Sequence, residues 1–291
     1  MLFGEYSLIC GSMGLVVPLK QFNARWSFIE ISNDRDFAFH SNKQLRSFCD
    51  FLSGKEPFSS QLDHEKFKNE IEKGLFFDSS IPQGYGSGSS GALVAAVYQR
   101  YTNFKVEPSL IELRTFLAGM ESFFHGNSSG IDPISCYLNE PVLINEKGDI
   151  QCVENPFQQK SGINTYLIDT GLPRETSRLM QHFAEQVNHY SFFKKLRDQM
   201  IPAVNQTIKY FRAGETELFF NHLSIISHFQ LQYFAPMIPE ILLSDWKNGL
   251  ESGDFIFKIC GSGGGGYMLA FSKNQIDSSQ FTGTFSVEIL S

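Results

Sequence analysis

The residues best suited to chemistry lie in one run, IPQGYGSGSSGALVAAVY, from Ile81 to Tyr98. Gly84, Gly86, Gly88 and Gly91 mix there with Ser87, Ser89 and Ser90 before the chain switches to Ala92, Leu93, Val94, Ala95, Ala96 and Val97. This is the pattern of a glycine loop that opens a buried helix. Glycine permits backbone dihedrals closed to other residues and lets a ligand approach the main chain. The first N–H groups of a helix have no internal partners, and with the helix dipole they suit a phosphate. Better-known uses of such a loop fit poorly. A Walker A loop needs Lys after its last Gly, where this chain has Ala92. Gly86, Gly88 and Gly91 satisfy GxGxxG, but Pro82 and Gly84 crowd the place where a strand should end. A nucleophile elbow, GxSxG, would need Gly where Ala92 follows Ser90. Taken by itself, a Gly/Ser run also reads as a flexible loop before a core helix.

Two further stretches stand out. ESFFHGNSSGIDP, from Glu121 to Pro133, ends a helix at Gly126 and makes a tight polar loop that delivers Asp132 to a new helix start. Asp132 before Pro133 also has a purely structural reading, as an N-cap with Pro at the first helical position. FIFKICGSGGGGYMLAF, from Phe255 to Phe271, sets two apolar strands around Gly261, Gly263, Gly264, Gly265 and Gly266. That is too much glycine for a simple hairpin turn, so the backbone there must approach something closely.

The elements that must carry these loops can be read in order. Leu2 to Leu19 predicts two short strands with a turn at Cys10 to Gly14, and Glu5 in the first of them sits most simply on a solvent face. Trp26 to Ser32 alternates as a strand, and Asn42 to Leu52 and Asp63 to Lys73 have helical spacing. Pro108 and Ser109 start a helix that runs to Phe124. Strands are expected at Val142 to Asn145 and Ile150 to Glu154, around a turn at Lys147 to Asp149. A polar connector, Asn155 to Gly162, places a domain boundary near residue 160, dividing 1–160 from 161–291. Beyond it come a strand at Tyr166 to Asp169, helices at Glu175 to Val187, Ser191 to Phe211, Glu215 to Phe234 and Pro239 to Leu250, and a last strand at Phe285 to Leu290.

Composition limits the function. A chain of 291 residues exceeds what one core usually organises. With 24 Lys plus Arg against 31 Asp plus Glu the net charge is −7, which disfavours nucleic acid or an anionic membrane as partner. The five cysteines are odd in number and never in CxxC spacing, and the seven histidines show no ligand spacing. Reduced thiols and no structural zinc follow. No apolar run has the length of a membrane span, so a cytoplasmic protein is expected.

In this order and with these separations, LFGEYSLICGS, PQGYGSGSSGA and KICGSGGGGY resemble the three motifs of the GHMP kinase family, with Gly91 and Ser262 where the second and third motifs usually carry Ala. Both substitutions are small and are expected to preserve the backbone path. HGNSSGID, from His125 to Asp132, is most similar to the HGxPSGID signature of mevalonate kinases, with Ser128 in place of Pro. The resemblance implies an α+β, two-domain GHMP kinase fold, with an N-terminal domain of the ribosomal S5 domain 2 type and a ferredoxin-like C-terminal domain. It implies an ATP- and Mg²⁺-dependent kinase that phosphorylates mevalonate. Asp132 would take the proton of the acceptor hydroxyl, and Ser90 and Glu121 would hold Mg²⁺. Gly84, Gly86, Ser87, Gly88, Ser89, Ser90, Gly263 and Gly264 would bind ATP, and Glu5, Tyr6, His125 and Ser129 would line the acceptor. The implied partners are ATP and a small molecule, with a homodimer allowed. Mevalonate kinases carry a Lys six residues before the Glu matching Glu5, which would fall upstream of Met1, so the native chain is expected to start earlier. Tyr6 after Glu5 follows the GEY of phosphomevalonate kinases, which stay open as the alternative. A ligand-binding relative without catalysis also stays open.

Overall fold

The protein is described by a computed structural model over residues 1–82, 85, 88–103, 108–126, 128–158, 162–174, 176–276, 281 and 286–290. In chain order the elements are β1 (Gly14–Val16), β2 (Ala24–Phe28), α1 (Arg35–Ser53), α2 (Phe58–Gln61), α3 (His64–Glu72), β3 (Leu75–Ser79), α4 (Ser89–Tyr101), α5 (Leu110–His125), α6 (Ile131–Leu138), β4 (Val142–Ile144), β5 (Ile150–Cys152) and β6 (Asn164–Asp169). Then follow α7 (Thr176–Val187), α8 (Tyr190–Lys195), α9 (Ile201–Ala213), α10 (Thr216–Tyr233), α11 (Leu243–Ser252), β7 (Ile256–Ile259), β8 (Tyr267–Ser272) and β9 (Ser286–Ile289). No helix among the described residues is long and apolar enough to cross a membrane.

The chain gathers into two compact units. One comprises Met1–Val17, Gln83–Ser87 and Glu140–Ser291, the other Pro18–Pro82 and Gly88–Asn139. Where the sequence proposes a single cut near residue 160, these units are discontinuous.

In the second unit, β2 and β3 pair antiparallel with Phe28 opposite Leu75 and Ala24 opposite Ser79. The sequence pattern did not yield β3. Its residues Leu75, Phe76 and Phe77 are all buried, so no polar alternation marks it as a strand. Helix α1 begins seven residues before the expected Asn42 because Asp34 caps it, its side chain accepting from the Phe37 N–H at 2.9 Å. Helix α5 starts on a complete capping box, Ser109 with Glu112.

In the first unit, β1, β4 and β5 form an antiparallel sheet, and Phe3 adds a single bridge to Leu15. A four-stranded sheet of order β7-β8-β6-β9 carries the rest, with every adjacent pair antiparallel. Phe3 is wholly buried, its ring stacked on Phe271 at 5.6 Å and edge-on to Phe211 and Phe219. The helix expected from Ser191 to Phe211 is broken by one π turn at Leu196–Met200.

Candidate active site

Helix α4 begins at Ser89 behind Gly88, which stands in the left-handed region at φ 83° with nothing among the described residues within 4 Å of where a side chain would start. The first N–H groups of α4 have no partner within the helix itself. Of the expected phosphate-binding residues, Gly84, Gly86 and Ser87 lie outside the described residues, as does the side chain of His125.

Ser90, in that first turn, donates from Oγ to Glu121 Oε1 at 2.8 Å. Glu121 sits near the end of α5 and is 5% exposed. Its other oxygen accepts from Ser128 Oγ, which in turn accepts the Gly130 N–H at 2.9 Å. Ser128 thus gives the carboxylate a donor that the Pro of the resembling signature could not. Burial first, and then the negative charge of Asp132, push the Glu121 carboxyl up to about 7, with only the Ser128 and Ser90 hydroxyls opposing. Glu121 and Asp132 are therefore electrostatic neighbours.

Asp132 is half-buried in the first turn of α6, whose N-cap Gly130 is left-handed at φ 71°. A side chain on Gly130 would start 2.4 Å from the Arg114 carbonyl oxygen, so only glycine lets the loop press onto α5. Arg114 ties that loop down, donating from Nε to the Ser129 carbonyl at 2.7 Å, while Ser129 itself is exposed. Helix α4 lies against the start of α6 so closely that a Cβ on Gly91 would stand 2.9 Å from Pro133 N and 3.1 Å from Asp132 Cβ. Ser90, Glu121, Ser128 and Asp132 thus gather where the N-termini of α4 and α6 meet the end of α5. The neighbouring Cys136 thiol is pushed up to about 12 by burial, then by Asp132 and Glu121, which leaves it inert at neutral pH.

The first and third motifs meet in the other unit. Glu5 and Lys258, 3% and 1% exposed at their side chains, form an ion pair with Lys258 Nζ 2.6 Å from Glu5 Oε2. Burial raises the Glu5 carboxyl above its ordinary value, against the pull of Lys258. Tyr6 donates its hydroxyl to the Ser262 carbonyl at 2.6 Å and packs its ring on Phe183 and Phe234. Burial pushes its phenol up.

In the third loop, all five glycines from Gly261 to Gly266 have positive φ. The thing that its backbone approaches is protein. A Cβ on Gly265 would stand 2.6 Å from the Leu172 carbonyl oxygen, and one on Gly266 2.5 Å from that of Tyr85. Gly263 N–H donates to the Cys260 carbonyl at 3.2 Å and Gly264 N–H to that of Met237 at 2.6 Å. Both amides thus bond to protein carbonyls, at the positions that the resemblance implies for ATP binding. Sequence reasoning missed Ser128, Arg114 and Lys258 as site residues. The Lys258 signal was present, since it opens the KICGSGGGGY run.

Residues 59–140 match the family model described as GHMP kinases N terminal domain. Curated proteins give no match. Among solved structures, L. major mevalonate kinase in complex with R-mevalonate has a TM-score of 0.62 at 16% identity, covering 96% of this chain and 85% of that one. Lactococcus lactis galactokinase complexed with galactose has a TM-score of 0.61 at 15% identity over 94% of this chain and 83% of its own. Streptococcus pneumoniae phosphomevalonate kinase in complex with phosphomevalonate and AMPPNP has a TM-score of 0.57 at 15% identity, over 94% and 90%. Residues 59–140 thus carry the signature of the GHMP kinase N-terminal domain, and along nearly its whole length the chain shares the α+β, two-domain fold of these kinases.

Proposed function

We propose that the chain is an ATP-dependent small-molecule kinase that transfers the γ-phosphoryl group to the primary hydroxyl of (R)-mevalonate. The observation that carries this reading is the gathering of Ser90, Glu121 and Asp132 at the N-termini of α4 and α6. Phosphoryl transfer asks a protein mainly for alignment and for compensation of charge on phosphate oxygens. The amides at the start of α4 would receive phosphate oxygens there.

The residues fit a magnesium ion. Glu121 is a buried carboxylate beside a second carboxylate, opposed only by hydroxyl donors, and a divalent cation would relieve that repulsion. Ser90 and Glu121 would hold it, supplying the hard oxygen ligands that Mg²⁺ prefers. When bound, the ion would offset charge on the β- and γ-phosphates. Asp132 would accept the acceptor hydroxyl's proton as the oxygen bonds to phosphorus and the bond to ADP breaks. A loose transition state lets that proton leave late, so a weak, well-placed base suffices.

The likeness to L. major mevalonate kinase, together with HGNSSGID and the eleven-residue spacing of Glu121 and Asp132, supports mevalonate as acceptor. Tyr6 after Glu5, and the likeness to the Streptococcus pneumoniae enzyme, support phosphomevalonate as the second reading. An ADP-release assay with mevalonate, phosphomevalonate, homoserine and galactose tests both. One clear substrate is expected, and Asp132→Asn should lower kcat by about 10²–10⁴-fold on it. Nucleotide binding without turnover on any of the four would favour a non-catalytic ligand-binding protein.

A further inference from the structure

The family resemblance implies Glu5 and Tyr6 at the acceptor, yet the structure encloses both. Glu5 Oε2 is bonded to Lys258, and Oε1 is closed off from solvent with no hydrogen-bond partner among the described residues. A ligand hydroxyl reaching either oxygen would have to open the fold. Tyr6 is 6% exposed and its hydroxyl is already committed. What these two adjacent residues share is their target: each fixes a point on the entry to the third glycine loop, Glu5 through Lys258 just before it and Tyr6 through Ser262 within its first residues.

The anchor is itself held firmly. Glycine is required at residue 4, where φ is 108° and a Cβ would meet Met13 O and Gly14 Cα at 2.9 Å. Ser7 and Ser12 join their hydroxyls at 2.7 Å, and the Met13 N–H donates to Asn205 Oδ1 of α9 at 2.8 Å. Tyr6 adopts φ 64°, a left-handed conformation disfavoured for a bulky residue and kept only where surroundings enforce it. On the far side, Lys258 Nζ also donates to the Ile259 carbonyl at 2.7 Å, and the Ile259 N–H donates to Gln230 Oε1 at 2.9 Å. The polar groups of the last β7 residue before the loop are thereby satisfied by side chains.

We infer that Glu5 and Tyr6 are positioning residues, a two-point clamp that sets the path of the Cys260 to Gly266 loop through Lys258 and Ser262, and not ligands of the acceptor. A loop whose five glycines gain no rigidity from side chains needs such fixed points where the chain enters it. Breaking the ion pair at one end leaves an uncompensated buried charge, whereas replacing both partners with neutral groups of similar shape can be close to neutral.

Hydrogen–deuterium exchange of the 259–267 segment tests the clamp without any ligand. Glu5→Gln and Tyr6→Phe should each speed exchange there by about tenfold or more relative to the unaltered chain. The double variant Glu5→Gln/Lys258→Met should exchange more slowly than Glu5→Gln alone. Tyr6→Phe removes only a hydroxyl, so it keeps the test open if Glu5→Gln fails to fold. Under the kinase reading proposed above, both single variants should also leave the KM for (R)-mevalonate within about twofold. Unchanged exchange in both single variants overturns the clamp. So does a tenfold rise in the mevalonate KM with AMPPNP affinity and exchange intact, which would return Glu5 and Tyr6 to the acceptor. If the unaltered chain binds no AMPPNP the kinase reading fails, and the exchange result still decides the clamp.

Discussion

Gly91 is the position where family resemblance and structure disagree most sharply. The second motif usually has Ala there, and the sequence reading expected the exchange to be harmless. In the structure, an Ala Cβ would stand 2.9 Å from Pro133 N, 3.0 Å from Asp132 C and 3.1 Å from Asp132 Cβ, where ordinary contact begins at 3.4 Å. Relief of the tightest contact needs 3.4 − 2.9 = 0.5 Å of movement between α4 and α6. Neither backbone atom can rotate aside as the tip of a long side chain could. Gly91→Ala should gain at most about 1 kcal/mol from helix propensity. Overpacking of a tight site costs roughly 1–3 kcal/mol, so the net expectation is a loss of about 1 kcal/mol. That corresponds to a fall in Tm of about 2–4 °C. The larger effect should fall on chemistry, because the clash pushes directly on Asp132. Since an ångström of misplacement can cost about a hundredfold, half an ångström should lower kcat roughly tenfold, with a smaller change in the KM for ATP. Thermal unfolding monitored by circular dichroism and a coupled ADP-release assay measure the two parts. A Gly91→Ala variant that is more stable and has an unchanged kcat would refute this account of how α4 seats Asp132.

The buried Glu121 gives a pH dependence in the metal-free protein. Its folded pKa, about 7, lies above the ordinary 4.5, so its contribution to stability is present below pH 4.5 and is lost as pH rises through 7. At about 1.4 kcal/mol per unit the span, 7 − 4.5, amounts to at most about 3.5 kcal/mol. Apo Tm should therefore fall between pH 5 and pH 8, and Glu121→Gln should flatten the fall. Ser90→Ala removes the 2.8 Å bond to Glu121 and one proposed magnesium ligand. It should raise the Mg²⁺ concentration for half-maximal activity by about tenfold or more while shifting Tm by only a few degrees. In the other unit, wholly buried Trp246 donates from Nε1 to Ser227 Oγ at 2.8 Å. Ser227→Ala should cost about 1–3 kcal/mol in denaturant unfolding by stranding that donor.

Much of the architecture could be read from local pattern. The glycine run before Ala92, the Ser109 cap with Glu112, and the Gly214 break between α9 and α10 each announce an element end through backbone chemistry that operates within a few residues. Strand β3 escaped because Leu75, Phe76 and Phe77 are all buried and carry no alternation. The start of α1 escaped because a lone Asp34 cap precedes residues whose periodicity is weak.

The sequence by itself determined the three loops, their order, and the residue types able to meet a phosphate, a metal ion and an acceptor proton, because glycine conformation and helix capping are local. Only the tertiary structure decided which partners those residues take. Lys258 is 253 positions from Glu5, and Ser90 is 31 from Glu121. Such pairings depend on how sheets and helices close around a core, as do the bonds from the Gly263 and Gly264 amides to protein carbonyls. Burial, which turns Glu5 and Lys258 into an obligatory pair and raises Glu121, is likewise a property of the packed fold and has no counterpart in the spacing of the chain.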